Sequence, residues 1–378
     1  MTTTPQTPFH RGNWLFPVLL AACGAVFCRP ALAVDESPAV PPTPQLRGAL
    51  ITAKDAAVTH LHKLAAAGTN IVVFKLSSSD HEAKQVVREA VGNAQQTGLN
   101  FAYWVEVARS PELAEEHPEW MASLQTHDEW RRYFPDFPEL KADEVAKTFP
   151  WVPILSREPF EAQKTRVVEL LANLPTPKAI FLNDLQGAPS ACGCGHPLCR
   201  WTSDYGTRRS VTPLGDDAAA LFVDAIQQSS PTAEVIPVWA IECEEHDGSA
   251  DGLCGGVGCF KGICWKAYTK QLMPVAEQSQ RLGVLALYKE FQRDISLYGT
   301  ANASWVEFAV KTFETMPPQH KGRAVPTARI VAILQGWDVT AAEIKAQQSA
   351  ATKSGANGYV IAYDKLDQSW SPKVVSWK

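Results

Sequence analysis

The densest collection of chemistry-bearing residues runs from Lys178 to Gly206. It opens with the apolar run Ala179-Ile180-Phe181-Leu182, presents Asn183 and Asp184, and then holds Cys192, Cys194, His196 and Cys199 within eight positions before Trp201, Asp204 and Tyr205. A carboxylate, an amide, soft metal ligands and aromatic rings therefore leave the end of one predicted strand together. Other apolar runs also end on polar residues: Lys75, Glu106, Glu242, Glu290, Gln335 with Asp338, and Asp364. A single carboxylate at a strand end is commonly a helix cap or an ion-pair partner. Six or more on one rim repel one another unless something uses or neutralises them.

Paired carboxylates are what glycoside hydrolysis requires, one to protonate the leaving oxygen and one to attack or to activate water. Asp184 with Glu242, on neighbouring strand ends, is the first choice of pair, and Glu106 with Asp364 is the reserve. Asn183, Glu290 and Asp364 supply further polar contacts for a substrate. Trp104, Trp120, Trp201, Tyr205, Trp239, Trp337 and Trp370 are the aromatics expected near the same rim, where their faces would suit the C–H surfaces of sugar rings; core packing is the competing use of such rings.

The elements that must position these groups alternate along the chain. Strands are expected at Gly48–Ile51, Ile71–Phe74, Asn100–Val107, Ala179–Leu182, Val235–Ile241, Val284–Tyr288, Arg329–Leu334 and Tyr359–Ala362. Helical spacing lies between them, with Gly68 and Gly98 as stops. Eight strands and seven helices in about 330 residues predict an α/β protein, a single-domain (β/α)8 TIM barrel whose last helix is missing or reduced. An open doubly wound sheet is less favoured, because no phosphate-binding glycine fingerprint follows the first strand. Ser110–Pro159 reads as a long excursion, functional or carrying small helices of its own. In a barrel the C-terminal strand ends ring one mouth, so the polar residues above would converge there.

From the third expected strand into that excursion runs FAYWVEVARSPELAEEHPEWMA, Phe101 to Ala122, in which the strand-end element Trp104-Val105-Glu106 is followed by His117-Pro118-Glu119-Trp120. This segment resembles a bacterial family of hypothetical glycosyl-hydrolase-like (β/α)8 barrel proteins, itself similar to the glycosidase barrels. The resemblance implies the barrel, a carbohydrate substrate, and site roles for Glu106 and for Asp184. Barrel glycosidases with Asn-Glu on strand four and Glu on strand seven would need Glu where this chain has Asp184 and Gln335, so an arrangement with Asp on strand four and Glu on strand five is expected instead.

Seven cysteines, Cys192, Cys194, Cys199, Cys243, Cys254, Cys259 and Cys264, all fall after the fourth and fifth predicted strands. Disulfides tying these two cysteine-rich loops are one reading. A structural zinc held by Cys192, Cys194, His196 and Cys199 is another, and an iron–sulfur cluster a third. Each would stiffen the rim beside Asp184, and catalysis itself is expected to require no cofactor.

The chain has 378 residues, 46% hydrophobic and 20% charged, with a net charge of −5. Residues 1–33 read as an export signal, with the apolar run Trp14–Ala22 and Ala31-Leu32-Ala33 as a cleavage site. Leu20-Ala21-Ala22-Cys23 also resembles a lipobox, which would leave Cys23 as a lipid anchor. Residues 34–45 form a Pro-rich linker, and 46–378 the barrel domain. Removing Arg11 and Arg29 with the signal takes the net charge to −7. An acidic chain without a Lys/Arg run argues against nucleic-acid partners, and the Trp14–Ala22 run is too short to be an integral membrane span. The expected product is an exported protein, periplasmic or extracellular, acting as a glycoside hydrolase on poly- or oligosaccharide. The alternative is a non-catalytic carbohydrate-binding or cell-envelope protein on the same barrel.

Overall fold

The computed structural model describes residues 45–76, 81–121, 123–124, 131, 134–154, 156–185, 214, 217–240, 259–260, 263–264, 273–289, 303–314, 325–366 and 371–376. The strands are β1 (Leu46–Thr52), β2 (Ile71–Lys75), β3 (Asn100–Glu106), β4 (Glu144–Phe149), β5 (Ala179–Asn183), β6 (Glu234–Ala240), β7 (Cys259–Phe260), β8 (Ile263–Cys264), β9 (Leu282–Ala286), β10 (Ile330–Gln335), β11 (Gly358–Ala362) and β12 (Ser371–Ser376). The helices are α1 (Val58–Ala66), α2 (His81–Gln96), α3 (Pro111–Glu116), α4 (Arg157–Ala172), α5 (Ala218–Ser229), α6 (Met273–Gln278), α7 (Ser304–Thr312) and α8 (Ala341–Lys353).

Eight parallel strands close into a barrel in the order β1-β11-β10-β9-β6-β5-β3-β2. Parallel strands buried on both faces need apolar side chains on both, which is why these segments read as near-continuous apolar runs. The two faces nevertheless separate cleanly. Leu46, Leu50, Ile71, Val73, Ala102, Trp104, Phe181, Ile236, Val238, Leu285, Val331, Ile333 and Val360 fill the lumen. Their neighbours Ala49, Ile51, Val72, Phe74, Tyr103, Val105, Ile180, Leu182 and Leu334 pack outward under the helices.

No helix follows β11 among the described residues. The chain instead returns as β12, which pairs antiparallel with β4, from Ser371 opposite Phe149 to Ser376 opposite Glu144. The long excursion after β3 is therefore built around a strand as well as the short helix α3. At the N-terminal end of the barrel, Arg281 reaches Glu234 through Nε at 2.8 Å and Asn357 through Nη1 at 3.3 Å, joining the starts of β6, β9 and β11.

Candidate functional site

Side chains alternate along a strand with period two, so the lumen-facing set can be continued to the last turn of each strand. After Leu50 comes Thr52; after Val73, Lys75; after Trp104, Glu106; after Phe181, Asn183; after Ile333, Gln335; after Val360 and Ala362, Asp364. The register agrees, with Thr52 opposite Lys75, Lys75 opposite Trp104, and Glu106 opposite Asn183. A polar layer therefore caps the apolar lumen on an arc running from β11 through β1, β2 and β3 to β5.

Glu106 is the centre of that arc. Its Oε1 accepts from Trp104 Nε1 at 2.9 Å and lies 3.9 Å from Lys75 Nζ, and its Oε2 accepts from Asn183 Nδ2 at 2.7 Å. Asp184 follows the inward Asn183, and alternation alone would turn it away. It instead takes a left-handed backbone, φ 62°, which Asp tolerates better than most residues. Its carboxyl then hydrogen-bonds that of Glu106. Burial pushes the Glu106 carboxyl up, but the bond from Asp184, the Lys75 charge and the bonds from Asn183 and Trp104 together hold it below the usual carboxylate range.

Asp364 behaves in the opposite way. Burial pushes its carboxyl up, and the nearby Asp55 charge adds to this; a backbone bond from Thr52 and the charges of Lys75 and His60 only partly compensate. One of its oxygens, Oδ2, is buried without a hydrogen-bond partner. Two carboxyls in one arc thus have environments that drive them apart, with the Lys75 charge acting on both.

The polar residues across the mouth are committed to structure. Gln335 accepts from the Lys289 N–H at 2.9 Å and donates to Trp337 O at 3.2 Å. Lys289 Nζ binds Asp338 O at 2.8 Å and Glu343 at 3.0 Å, and Tyr288 donates to Glu343 at 2.7 Å. Glu343 also closes a capping box with Thr340 at the start of α8. The Thr340 backbone bond, then Tyr288 and Lys289, pull the Glu343 carboxyl down to about 2.

The aromatics divide between lumen and shell. Trp104 is fully buried, stacked on Phe181 at 6.0 Å, and serves the site through its N–H rather than its face. Trp337 belongs to the lumen cluster at 9% exposure. The expectation for Trp239 and Trp120 is corrected: both pack in the layer between barrel and helices, Trp239 because it follows the inward Val238. The His117–Trp120 segment is a structural corner in which the His117 ring stacks on Trp120 at 3.8 Å and its Nδ1 meets Glu119 at 3.2 Å. Lys75 and Thr52 are the participants that motif reading undervalued; their signal was parity with the lumen, not residue type.

Glu242, Glu290, Trp201, Tyr205, Trp370, His196, Cys192, Cys194, Cys199, Cys243 and Cys254 lie outside the described residues. Of Cys259 and Cys264 the backbone is described, and the two stand opposite each other in the β7–β8 pair. Among the described residues no group of three or more His, Cys, Asp or Glu side chains could hold a metal ion, and no helix is long and apolar enough to cross a membrane.

No family model matches the chain, and no curated protein matches it. Solved structures similar to it include alpha-L-fucosidase isoenzyme 2 from Paenibacillus thiaminolyticus, at 10% identity and TM-score 0.43 over 86% of this chain and 46% of that one. This chain thus spans less than half the length of that fucosidase. A chitinase catalytic domain from Pyrococcus furiosus is similar at 10% identity and TM-score 0.43, over 85% of this chain and 84% of that one. An HpcH/HpaI aldolase from Desulfitobacterium hafniense DCB-2 is similar at 10% identity and TM-score 0.36, over 85% and 87%. The barrel itself is read from the strand order of this chain, which closes on eight parallel strands.

Proposed function

We propose that the protein is an exported carbohydrate-active enzyme that hydrolyses a glycosidic bond at the C-terminal mouth of the barrel. The observation that carries the reading is the opposite displacement of two carboxyls in one arc, Glu106 downward and Asp364 upward. Such a split assigns roles: the group that keeps its proton is the acid, and the group that loses it early supplies negative charge. Asp364 protonates the leaving oxygen, and Glu106, backed by Asp184, stabilises the oxocarbenium-like transition state or the attacking water. No cofactor is needed for this chemistry. Asp184 with Glu242 is the pair favoured by chain order, and it stands as the competing assignment.

The test is turnover of a panel of oligosaccharides by Asp364→Asn, Glu106→Gln, Asp184→Asn and Glu242→Gln, with melting temperature as the folding control. A general acid contributes about 10²–10⁴-fold, so Asp364→Asn should lose that much. Full activity in Asp364→Asn with loss in Glu242→Gln would transfer the role to the competing pair.

A non-catalytic carbohydrate-binding protein is the second reading. What favours it is the ion pairing of the rim, Lys75 to Glu106 and Lys289 to Glu343. Oligosaccharide binding without turnover in the unmodified protein would establish it. The export signal and the bracing of the rim by cysteines belong to the same proposal; N-terminal mass, thiol counting and elemental analysis of the secreted protein distinguish cleavage after Ala33 from lipidation at Cys23, and disulfides from a structural zinc.

A further inference from the structure

Three lysines fall on successive elements of the arc that carries Glu106: Lys54 in the short turn Ala53–Asp55 after β1, Lys75 at the end of β2, and Lys84 in α2. The fold brings them to one cavity of about 700 Å³, which reaches Glu106 and is part of the site already described. Arg109 and Arg166 also line it, so the cavity gathers five basic residues and only two acidic ones, Glu106 and Glu112. The chain as a whole carries −5, so the sign of this wall runs against that of the protein.

Like charges brought together cost free energy unless an opposite charge meets them. Part of this charge is met within the chain: Lys75 stands 3.9 Å from Glu106, and Arg166 donates to both oxygens of Glu116 at 3.0 and 3.1 Å. Lys54 and Lys84 meet no carboxylate among the described residues. Lys54 is exposed and Lys84 half-buried, so a solute can reach either. A cleft lined by one sign of charge concentrates its field and draws in ligands of the other sign. Between the cations the lining is aliphatic, from Val87, Val105, Val167 and Leu170, which suits the C–H face of a sugar ring while the lysines take its charged substituent.

We propose that the saccharide taken by this mouth is anionic, with a carboxylate or a sulfate ester on a ring beside the one at Glu106, and that Lys54 and Lys84 select it. The inference rests on the reading of the mouth as a carbohydrate site and names the substrate class of that site. Neither lysine takes part in bond cleavage. Both act on a charge that a neutral saccharide lacks, so their effect is on which saccharide binds.

The experiment reads binding by calorimetry and cleavage by product analysis on the full-length chain, with saccharides in pairs that share a backbone and differ in charge. The pairs are oligogalacturonate and its methyl ester, oligomannuronate and its methyl ester, and sulfated and desulfated carrageenan oligosaccharides; the first two report a carboxylate and the third a sulfate ester. At least one charged member should bind saturably, by about tenfold or more over its neutral partner, and more weakly as salt is raised. Lys54→Gln combined with Lys84→Gln should weaken that binding by about five- to thirtyfold and flatten its salt dependence, with melting temperature as the folding control. Where the charged member is cleaved, the loss should fall on KM and leave kcat within about threefold. Lys345→Gln combined with Lys353→Gln removes the same charge from exposed positions on α8 and should leave the affinity unchanged. Selective binding of a charged member without cleavage would sustain this inference and remove the hydrolytic reading. Equal cleavage of charged and neutral partners would overturn the inference and leave the hydrolytic reading standing. Binding by no member, equal affinity within every pair, or an equal loss in the α8 variant would each overturn the inference as well.

Discussion

Lys75 Nζ stands 3.9 Å from Glu106 Oε1, and the same ammonium lowers the carboxyl of Asp364. One cation at the end of β2 therefore contributes to the titration of two acids, one on β3 and one past β11. Because its charge favours the ionised form of both, Lys75→Met should move both titrations to higher pH. Carbon-detected NMR of the two carboxyls checks this directly. On the proposed mechanism the pH–rate profile would move up as a whole rather than lose one limb.

The same substitution has a stability signature. Glu106 is held below its ordinary 4.5, so its contribution to stability is present above that value and lost as pH falls through the lower folded value. Lys75→Met should cost about 1–3 kcal/mol at pH 7, since Glu106 stays buried with its other donors but without its cation. Urea denaturation should show the difference from the unmodified protein shrinking as the pH is taken down through the carboxylate range.

Asp364 carries the opposite sign. Its folded value lies above the ordinary 3.8, so the fold is penalised as pH rises past 3.8 and is not penalised below it. Asp364→Asn should therefore be neutral or slightly stabilising at pH 7, by less than about 1 kcal/mol at this partly exposed position. The gain should vanish at pH 3. A clear loss of stability at pH 7 would mean that the ionised carboxylate is a structural partner.

The barrel was legible because its signal is redundant: eight apolar runs, the first seven each followed by helical spacing before the next, point to one topology. The end of α2 at Gln96 was legible from the Gly98 stop that follows it. β4 and β12 were not legible, since EVAKTF and SPKVVS are short and mixed in polarity, and neither carries a lumen face; only their mutual pairing makes them strands. In the site, Glu106 was found from its strand end, but its hydrogen bond to Asp184 depends on the positive φ of Asp184, which residue type permits without demanding. Gln335 looked equally available in sequence, yet Gln347, twelve residues later, ties down the strand backbone beneath it.

That tie is itself testable. Gln347 is fully buried; its Oε1 accepts from the Gln335 N–H at 3.1 Å and its Nε2 donates to Gln335 O at 2.8 Å. Gln347→Leu preserves volume approximately but orphans both backbone groups at the end of β10. A loss of about 2–4 kcal/mol is expected by chemical denaturation, with Gln347→Glu recovering little because a carboxylate can replace the acceptor but not the donor.

The seam that closes the barrel requires a close backbone approach at Gly358. Gly358 opens β11 opposite Leu46, the first residue of β1, so it sits on the seam where the last barrel strand meets the first. A Cβ placed there would lie 2.0 Å from Leu46 O and 2.6 Å from Leu46 N. Both atoms are backbone, and Leu46 N is already bonded to Asn357 O at 3.1 Å, so neither can move without opening the β1–β11 ladder. Gly358→Ala should therefore cost at least about 3 kcal/mol, above the usual range for one added methyl, because the clash cannot be relieved by a side-chain rotation. Hydrogen exchange provides the discriminating readout. If the seam is what fails, protection should fall first at the amides of β1 and β11 while β5 and β6, across the barrel, remain protected; uniform loss of protection would place the damage elsewhere.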